Sequence, residues 1–190
     1  EFDLDSTIDH TARDGGLLNI QMRAERRNTI KLLVLFDIGG SMDEHIKISE
    51  ALFSACKTEF KHLEYYYFHN FIYEGLWKSN ARRFDQRTPT QDVLNTYGAD
   101  YKVIFVGDAA MSPYEIAQPG GSVEHWNDEP GYLWMQRFMQ KFKKIIWLNP
   151  YPKQEWQFTQ STQMVRELIE DQMYPMTIEG LEEGMRYLAK

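Results

Sequence analysis

Side chains that offer oxygen atoms follow two apolar segments of the sequence. Asp37 comes directly after the segment at residues 29–36, and Asp108 comes shortly after a second segment at residues 101–106. In an open parallel sheet the carboxyl ends of the strands meet at one edge, and ligands bind there where the strand order reverses. With Ser41 and a threonine hydroxyl, the two carboxylates would supply the hard oxygen donors that Mg²⁺ prefers. The sequence therefore predicts a divalent-cation site at this edge.

The elements around Asp37 follow from the apolar pattern. Residues 29–36 suit a central strand that is covered on both faces, and Gly39-Gly40 predicts a tight turn after it. Residues 63–70 predict a second strand. Residues 72–77 follow too soon for a crossover helix, so we expect them to pair antiparallel with the second strand, at a sheet edge. A helix between the first two strands is indicated by residues that share one face: Ile48, Ala51, Leu52, Ala55 and Cys56.

The rest of the chain alternates between strands and helices. Residues 101–106 and 145–148 predict buried strands, and Met135 to Phe142 predicts an amphipathic helix. Further helices are expected at residues 90–96, at residues 163–172 and around Ile178, Leu181, Met185 and Leu188. This alternation predicts an α/β fold: a Rossmann-like open, mostly parallel sheet with one antiparallel edge strand and helices on both faces. Residues 1–28 are expected to form an arm or partial helix before a domain at residues 29–190.

The composition limits the classes of partner that we expect for this chain. The formal net charge of −7 argues against nucleic acid, which needs a basic surface. The longest apolar run, residues 32–36, is too short to span a bilayer, so no membrane partner is expected. A single cysteine, Cys56, excludes an internal disulfide and favours a cytoplasmic location.

Three short motifs resemble those of von Willebrand factor type A (VWA) domains. Residues 37–41, Asp-Ile-Gly-Gly-Ser, resemble the D-x-S-x-S motif of the metal-ion-dependent adhesion site, or MIDAS, in that family. Residues 87–90 resemble the segment that supplies the family's metal-binding threonine, with Thr88 in the matching place and Thr90 as the alternative. Residues 106–108 match the segment with the family's later aspartate. The resemblance implies a VWA fold that binds Mg²⁺, or Mn²⁺ or Ca²⁺, through Asp37, Ser41, Thr88 and Asp108.

The first motif departs from the family at one position. Gly39 stands where the family usually has its first serine, so one direct or water-bridged ligand is missing. The resemblance implies coordination rather than catalysis: the ion would keep one position for an Asp or Glu of a protein partner. We therefore expect a binding module and no enzyme. Partner contacts are expected from seven residues: Gly39, Gly40, Met42, Ala109, Met111, His125 and Trp126.

Three further stretches resemble the bacterial CoxE-like branch of VWA proteins. They lie at residues 60–64, 107–115 and 181–188. This branch is similar to accessory proteins that work with MoxR-type AAA+ ATPases in the maturation of metalloenzymes or complexes. The resemblance thus implies an accessory or assembly factor that works with a MoxR-type ATPase.

Simpler interpretations exist for several of these residues. Asp37 could be a helix cap, and Thr88 could be a turn residue before Pro89. His69 could be a structural histidine rather than a residue that lines the site, and Cys56 could be a core residue. Residues 109–132 predict a long loop over the metal edge, which would either select the partner or only cover the sheet.

Three rival functions remain open. Residues 39–43 almost match a G-x-S-x-G elbow, and Ser41, Asp108 and His125 occur in the chain order of α/β-hydrolases, although Asp43 replaces the last glycine. A haloacid-dehalogenase-type phosphotransferase would need a second acid at residue 39. The third possibility is a VWA scaffold that binds no metal.

Overall fold

The protein folds around one seven-stranded sheet. The computed structural model describes residues 10, 12, 13, 28–56, 60–81 and 86–190. The strands run in the order β4-β3-β2-β1-β5-β6-β7. Their bounds are β1 Asn28–Asp37, β2 Phe60–Phe68, β3 Gly75–Trp77, β4 Arg87–Pro89, β5 Lys102–Val106, β6 Ile145–Asn149 and β7 Met173–Pro175.

Helices cover both faces of the sheet. They are α1 Asp43–Cys56, α2 Thr90–Thr96, α3 Pro113–Ala117, α4 Gly131–Lys141, α5 Gln160–Leu168 and α6 Ile178–Ala189. Short 3₁₀ turns lie at Gly40–Met42 and Trp156–Phe158. The α/β class and the sequence-predicted positions of the longer elements are confirmed.

Strand direction agrees with the prediction, and two short strands add to it. The strands β2, β1, β5, β6 and β7 are parallel, while β3 pairs antiparallel with β2. The sequence did not predict β4, which pairs antiparallel with β3 and lies outside it, nor β7. Each has only three residues, Arg-Thr-Pro and Met-Tyr-Pro, so backbone pairing defines them and no hydrophobic alternation marks them.

The core has two layers, separated by the sheet. Leu33 and Leu35 of β1 face one layer, which α2, α4 and α5 complete with Val93, Phe138 and Val165. The alternate residues of β1, Leu32, Val34 and Phe36, face the other layer with residues of α1 and α6. Because both faces of β1 are buried at residues 32–36, that stretch is entirely apolar, which is why the strand was recognisable.

Several predictions fall outside the described residues. The expected arm or partial helix at residues 1–28 is one of them, apart from single helical residues at 10, 12 and 13 and the start of β1 at Asn28. The side chains of Ile48, Ala51, Leu52, Ala55 and Cys56 are another, although the backbone helix α1 that carries them is described. In the described part of the chain, every helix is too short or too polar to cross a membrane.

Candidate metal and partner-binding edge

Asp37 is the last residue of β1, and its side chain is almost fully buried. Its Oδ1 accepts hydrogen bonds from the backbone N–H groups of Gly39 and Asn70, each at 2.8 Å. The helix-cap interpretation of Asp37 is wrong, because Gly39 occupies the cap position of the following 3₁₀ turn and α1 begins only at Asp43. Asp37 instead joins the end of β1 to Asn70, two residues after the end of β2.

Asp108 emerges beside Asp37, as the sequence predicted. Phe36 pairs with Val106 in the β1–β5 ladder, which sets Asp37 next to Gly107. A Cβ on Gly107 would lie 2.9 Å from the Cβ of Asp37, so only glycine allows this approach. The Asp108 side chain is buried; its Oδ1 accepts from the N–H of Ala110 at 2.9 Å, whereas its Oδ2 has no hydrogen-bond partner among the described residues.

Buried side chains hold the backbone around Asp108. Asn149 donates through Nδ2 to the Asp108 carbonyl, and Trp147 donates through Nε1 to the Gly107 carbonyl, both at 2.7 Å. Ala109 has a φ of 56°, a left-handed conformation that is uncommon for a residue with a side chain. Its carbonyl accepts from two hydroxyls of α5, those of Ser161 and Thr162, at 2.7 and 3.1 Å. Hydrogen bonds from side chains of β6 and α5 therefore hold the backbone around Asp108, in addition to the pairing of its own strand.

The site carries more negative charge than its surroundings balance. Burial is the main cause that raises the pKa of Asp37 to about 7, and the charges of Asp108 and Glu115 add to it. The hydrogen bonds from Gly39 and Asn70 act in the opposite direction but are too weak to offset it. Burial also raises the pKa of Glu115. A cation at this position would relieve both the desolvation and the repulsion.

Ser41 lies in the turn that follows Asp37. It is exposed, in the 3₁₀ turn Gly40–Met42 between β1 and α1. Its hydroxyl is thus accessible to solvent and close along the chain to Asp37.

The structure does not bring Thr88 to the two aspartates. Residues 87–89 form the outermost strand β4, and two strands lie between it and β1. Three inter-strand spacings separate Thr88 from Asp37, roughly 14 Å. The alternative, Thr90, is buried at the start of α2 and donates its hydroxyl to the Tyr73 carbonyl. The threonine ligand therefore stays a prediction from resemblance alone.

Half-buried Asn70 and buried Glu115 complete the site. Asn70 donates through Nδ2 to both Glu115 oxygens, at 3.1 and 3.0 Å, and its N–H reaches Asp37. Glu115 itself is buried in α3. The sequence offered His69 as a residue near this edge but did not indicate Glu115. The available signal, Ser112 followed by Glu115 at the spacing of a capping box, indicated only a helix start.

Residues 109–132 cover this edge and are anchored on the β2–β3 connection. The segment is irregular, as predicted, but contains α3. Tyr73 donates its hydroxyl to the Glu115 carbonyl at 3.0 Å, and Nε2 of His125 lies 3.1 Å from Oε1 of Glu74. Nε2 of His69 lies 3.3 Å from Oε1 of Glu124. His69 is buried in this contact, which fits the structural interpretation of this residue.

The residues predicted to contact a partner differ in exposure. Trp126 is 73% exposed and Gly40 is exposed, so both are accessible. Met42 and Ala109 are buried, and Gly39 is also covered, so the two side chains pack inward and offer a partner no surface. Met111 and His125 are half-buried. A cleft of about 270 Å³, which sequence reasoning missed, opens beside Asp108 and is lined further by Ala110, Tyr151, Glu155, Trp156, Phe158, Thr159 and Thr162.

The donor set fits a hard divalent cation in part. Carboxylate, hydroxyl and amide oxygens are the ligands of Mg²⁺, and Asp108 offers a buried Oδ2 that lacks a partner among the described residues. In the same part of the chain, no three His, Cys, Asp or Glu side chains converge as a metal-binding group. A cation here would therefore rely on hydroxyl, amide or water oxygens besides the two aspartates.

Comparison with known proteins identifies the family. The model of the family described as "VWA domain containing CoxE-like protein" matches residues 1–98, which include Asp37, Ser41 and Asn70 but end before Asp108. Neither the curated proteins nor the solved structures gave a match. The mostly parallel sheet with its antiparallel strands on one side agrees with the VWA fold. The chain belongs to the VWA-domain-containing CoxE-like proteins.

Proposed function

We propose that this chain is a divalent-metal-dependent protein-binding module with a MIDAS-type site. One observation carries the proposal: Asp37 and Asp108 are buried side by side with their charge unbalanced, and Oδ2 of Asp108 has no partner within the described structure. A buried charge of this kind is costly unless it is paired or coordinates a metal. Mg²⁺ is the preferred ion, with Mn²⁺ or Ca²⁺ as substitutes.

The residues of the site have different roles in this proposal. Asp37 and Asp108 hold negative charge at the base of the site, and Ser41 offers a hydroxyl from the exposed turn that follows Asp37. When bound, the ion supplies a positive charge with a coordination position for a carboxylate oxygen. An Asp or Glu of a protein partner fits this position, and VWA domains often mediate protein interactions.

The cleft beside Asp108 supplies a surface for the rest of the partner. Phe158 is 80% exposed and Trp156 is buried in its wall, so an aromatic surface adjoins the proposed metal site. Aromatic side chains contribute strongly to protein interfaces. We extend the proposal to an assembly or accessory factor that works with a MoxR-type AAA+ ATPase, which rests on membership in the CoxE-like family.

The structure supports a binding role better than the alternative function as a serine hydrolase. Nδ1 of His125 lies 3.3 Å from the hydroxyl of Ser122, and its Nε2 lies 3.1 Å from Glu74. Both ring nitrogens thus lie beside residues other than Ser41, whereas a triad needs one of them on the nucleophile. Reaction of Ser41 with a fluorophosphonate probe would contradict this view.

Calorimetric titration with Mg²⁺ and Mn²⁺ tests the proposal directly. We expect binding by the intact chain and none by Asp108→Ala. Asp92→Ala is the matched control, because Asp92 is exposed on α2, away from the site. Partners that co-purify with the chain should be released by a chelator. If neither ion binds at millimolar concentration, the chain is a metal-free VWA scaffold and the proposal is wrong.

A further inference from the structure

The space next to Gly39 is filled by the side chain of Asn70. A Cβ built on Gly39 would overlap with Oδ1 of Asn70 and would lie 3.2 Å from Oδ1 of Asp37. The Cβ of a serine at residue 39 would therefore compete with the Asn70 amide oxygen for the same space. The glycine makes room for an oxygen that arrives from the neighbouring strand.

The backbone of Asn70 fixes this arrangement. Asn70 has a φ of 56°, and asparagine is among the residues that adopt this left-handed conformation most readily. Its N–H donates to Oδ1 of Asp37 at 2.8 Å. The hydrogen bond thus holds the Asn70 backbone, from which the side chain extends, next to the carboxylate that we assign to the site.

Glu115 sets the direction of the Asn70 amide. Nδ2 of Asn70 is 3.1 and 3.0 Å from the two Glu115 oxygens, and a carboxylate accepts hydrogen bonds but, when ionised, cannot donate them. The amide nitrogen therefore faces Glu115, and the amide oxygen faces Gly39. Glu115 is held in turn by the N–H of Ser112 at 3.3 Å.

We propose that the amide oxygen of Asn70 replaces the missing serine hydroxyl at Gly39 as a ligand of the divalent ion, with Glu115 as its positioning residue. Amide carbonyl oxygens are ordinary ligands of hard cations, so the exchange preserves the chemistry of the donor. This inference rests on the proposed metal site and names a ligand that neither the motif at residues 37–41 nor the family match assigns. It also makes the departure at Gly39 a replacement rather than a loss.

Four chains test the inference by calorimetry with Mg²⁺: wild type, Asn70→Gly, Gly39→Ser and the double variant Gly39→Ser/Asn70→Gly. Glycine keeps the left-handed backbone and the N–H bond to Asp37 while it removes the amide. We expect Asn70→Gly to weaken Mg²⁺ binding roughly tenfold or more, because the loss of a group that supports a metal site commonly has an effect of this size. Gly39→Ser should also weaken binding because of the overlap, and the double variant should regain affinity to within about threefold of wild type.

Controls separate a ligand role from a structural one. Asn80→Gly removes an exposed amide elsewhere and should leave the affinity unchanged. Thermal unfolding in chelator shows that each variant is folded, and the electron paramagnetic resonance spectrum of bound Mn²⁺ should change in Asn70→Gly and not in Asn80→Gly. If Asn70→Gly proves unfolded, the comparison of Gly39→Ser with the double variant decides the question.

The outcomes also distinguish this inference from the proposed function. If wild type binds Mg²⁺ and Asn70→Gly loses less than about threefold in affinity, the inference is wrong and the metal site stands. If the folded double variant binds no better than Gly39→Ser, the inference is likewise wrong. If wild type binds neither Mg²⁺ nor Mn²⁺, the proposed function fails first.

Discussion

The backbone N–H of Asn70 donates a 2.8 Å hydrogen bond to Oδ1 of Asp37, and this bond ties together the carboxyl ends of two neighbouring parallel strands. Asp37 ends β1 and Asn70 comes two residues after β2. The aspartate therefore has a structural role in addition to its proposed role as a ligand. Variants of this site must be designed so that the two roles can be measured separately.

Asp37→Asn should change the pH dependence of stability. The pKa of Asp37 is raised from 3.8 to about 7 in the folded chain, so folding favours its protonated form. The associated stability is fully present below about pH 4 and is lost as the pH rises through 7. Asparagine keeps an oxygen for the two N–H donors and does not ionise. Above pH 7 the free energy of unfolding of Asp37→Asn should therefore exceed that of wild type, by on the order of 4 kcal/mol at most.

Urea unfolding in chelator from pH 4 to pH 8 measures this effect. The two chains should be similar near pH 4 and diverge towards pH 8, while the control Asp92→Asn should follow wild type throughout. A constant difference between Asp37→Asn and wild type over the whole range would contradict the prediction.

Ser41→Ala should separate metal affinity from stability. Ser41 is exposed, so we expect its free energy of unfolding in chelator to change by less than about 0.5 kcal/mol. Loss of the hydroxyl should weaken Mg²⁺ binding roughly tenfold, as measured by calorimetry. Ser79→Ala, at another exposed serine, should alter neither quantity. Equal Mg²⁺ affinities of Ser41→Ala and wild type would remove Ser41 from the ligand set.

Thr88→Val should leave the Mg²⁺ affinity within about twofold of wild type, because Thr88 lies roughly 14 Å from Asp37, three strand spacings away. Valine has a similar shape and keeps the β-branched character of the edge strand. Calorimetry under the conditions used for Ser41→Ala makes the comparison direct. If Thr88→Val lost affinity as Ser41→Ala is expected to, Thr88 would be a ligand in a metal-bound state in which the edge strands move.

Trp147→Phe should destabilise the fold and loosen the site. Trp147 is fully buried, and its Nε1 donates to the Gly107 carbonyl at 2.7 Å, next to Asp108. Phenylalanine leaves that carbonyl unpaired and the core underfilled, at a cost of about 2–4 kcal/mol in the free energy of unfolding. Trp126→Phe, at an exposed tryptophan, should cost less than about 0.5 kcal/mol by the same urea titration. Similar losses in the two variants would contradict this assignment.

The positions of Asp37 and Asp108 could be predicted because they depend on features that the sequence displays. Both follow strands whose two faces are buried, and the β1–β5 register then sets Asp37 beside Gly107. The partners of Asp37 depend on long-range contacts instead. Glu115 reaches Asn70 only because residues 109–132 fold back over the β2–β3 connection, and no local pattern encodes that return.

The distance between Thr88 and the two aspartates has a similar cause. Its local sequence, Arg-Thr-Pro, fits a turn or a ligand loop, yet β3 offers an open edge whose backbone groups residues 87–89 satisfy. Pairing at an edge is decided by backbone groups and not by side-chain type. The motif therefore identified the family, but the edge of the sheet decided where the threonine lies.

The overlap between a side chain at residue 39 and Oδ1 of Asn70 has a consequence for how the site can evolve. A serine at residue 39 would displace the Asn70 amide from its present place, and removal of the asparagine first leaves residue 39 without an oxygen to take over. Either order of single substitutions passes through an impaired intermediate. The two positions should therefore be inherited as a pair, and related sequences should carry Gly39 with Asn70, or a serine with a smaller residue, and rarely a mixture.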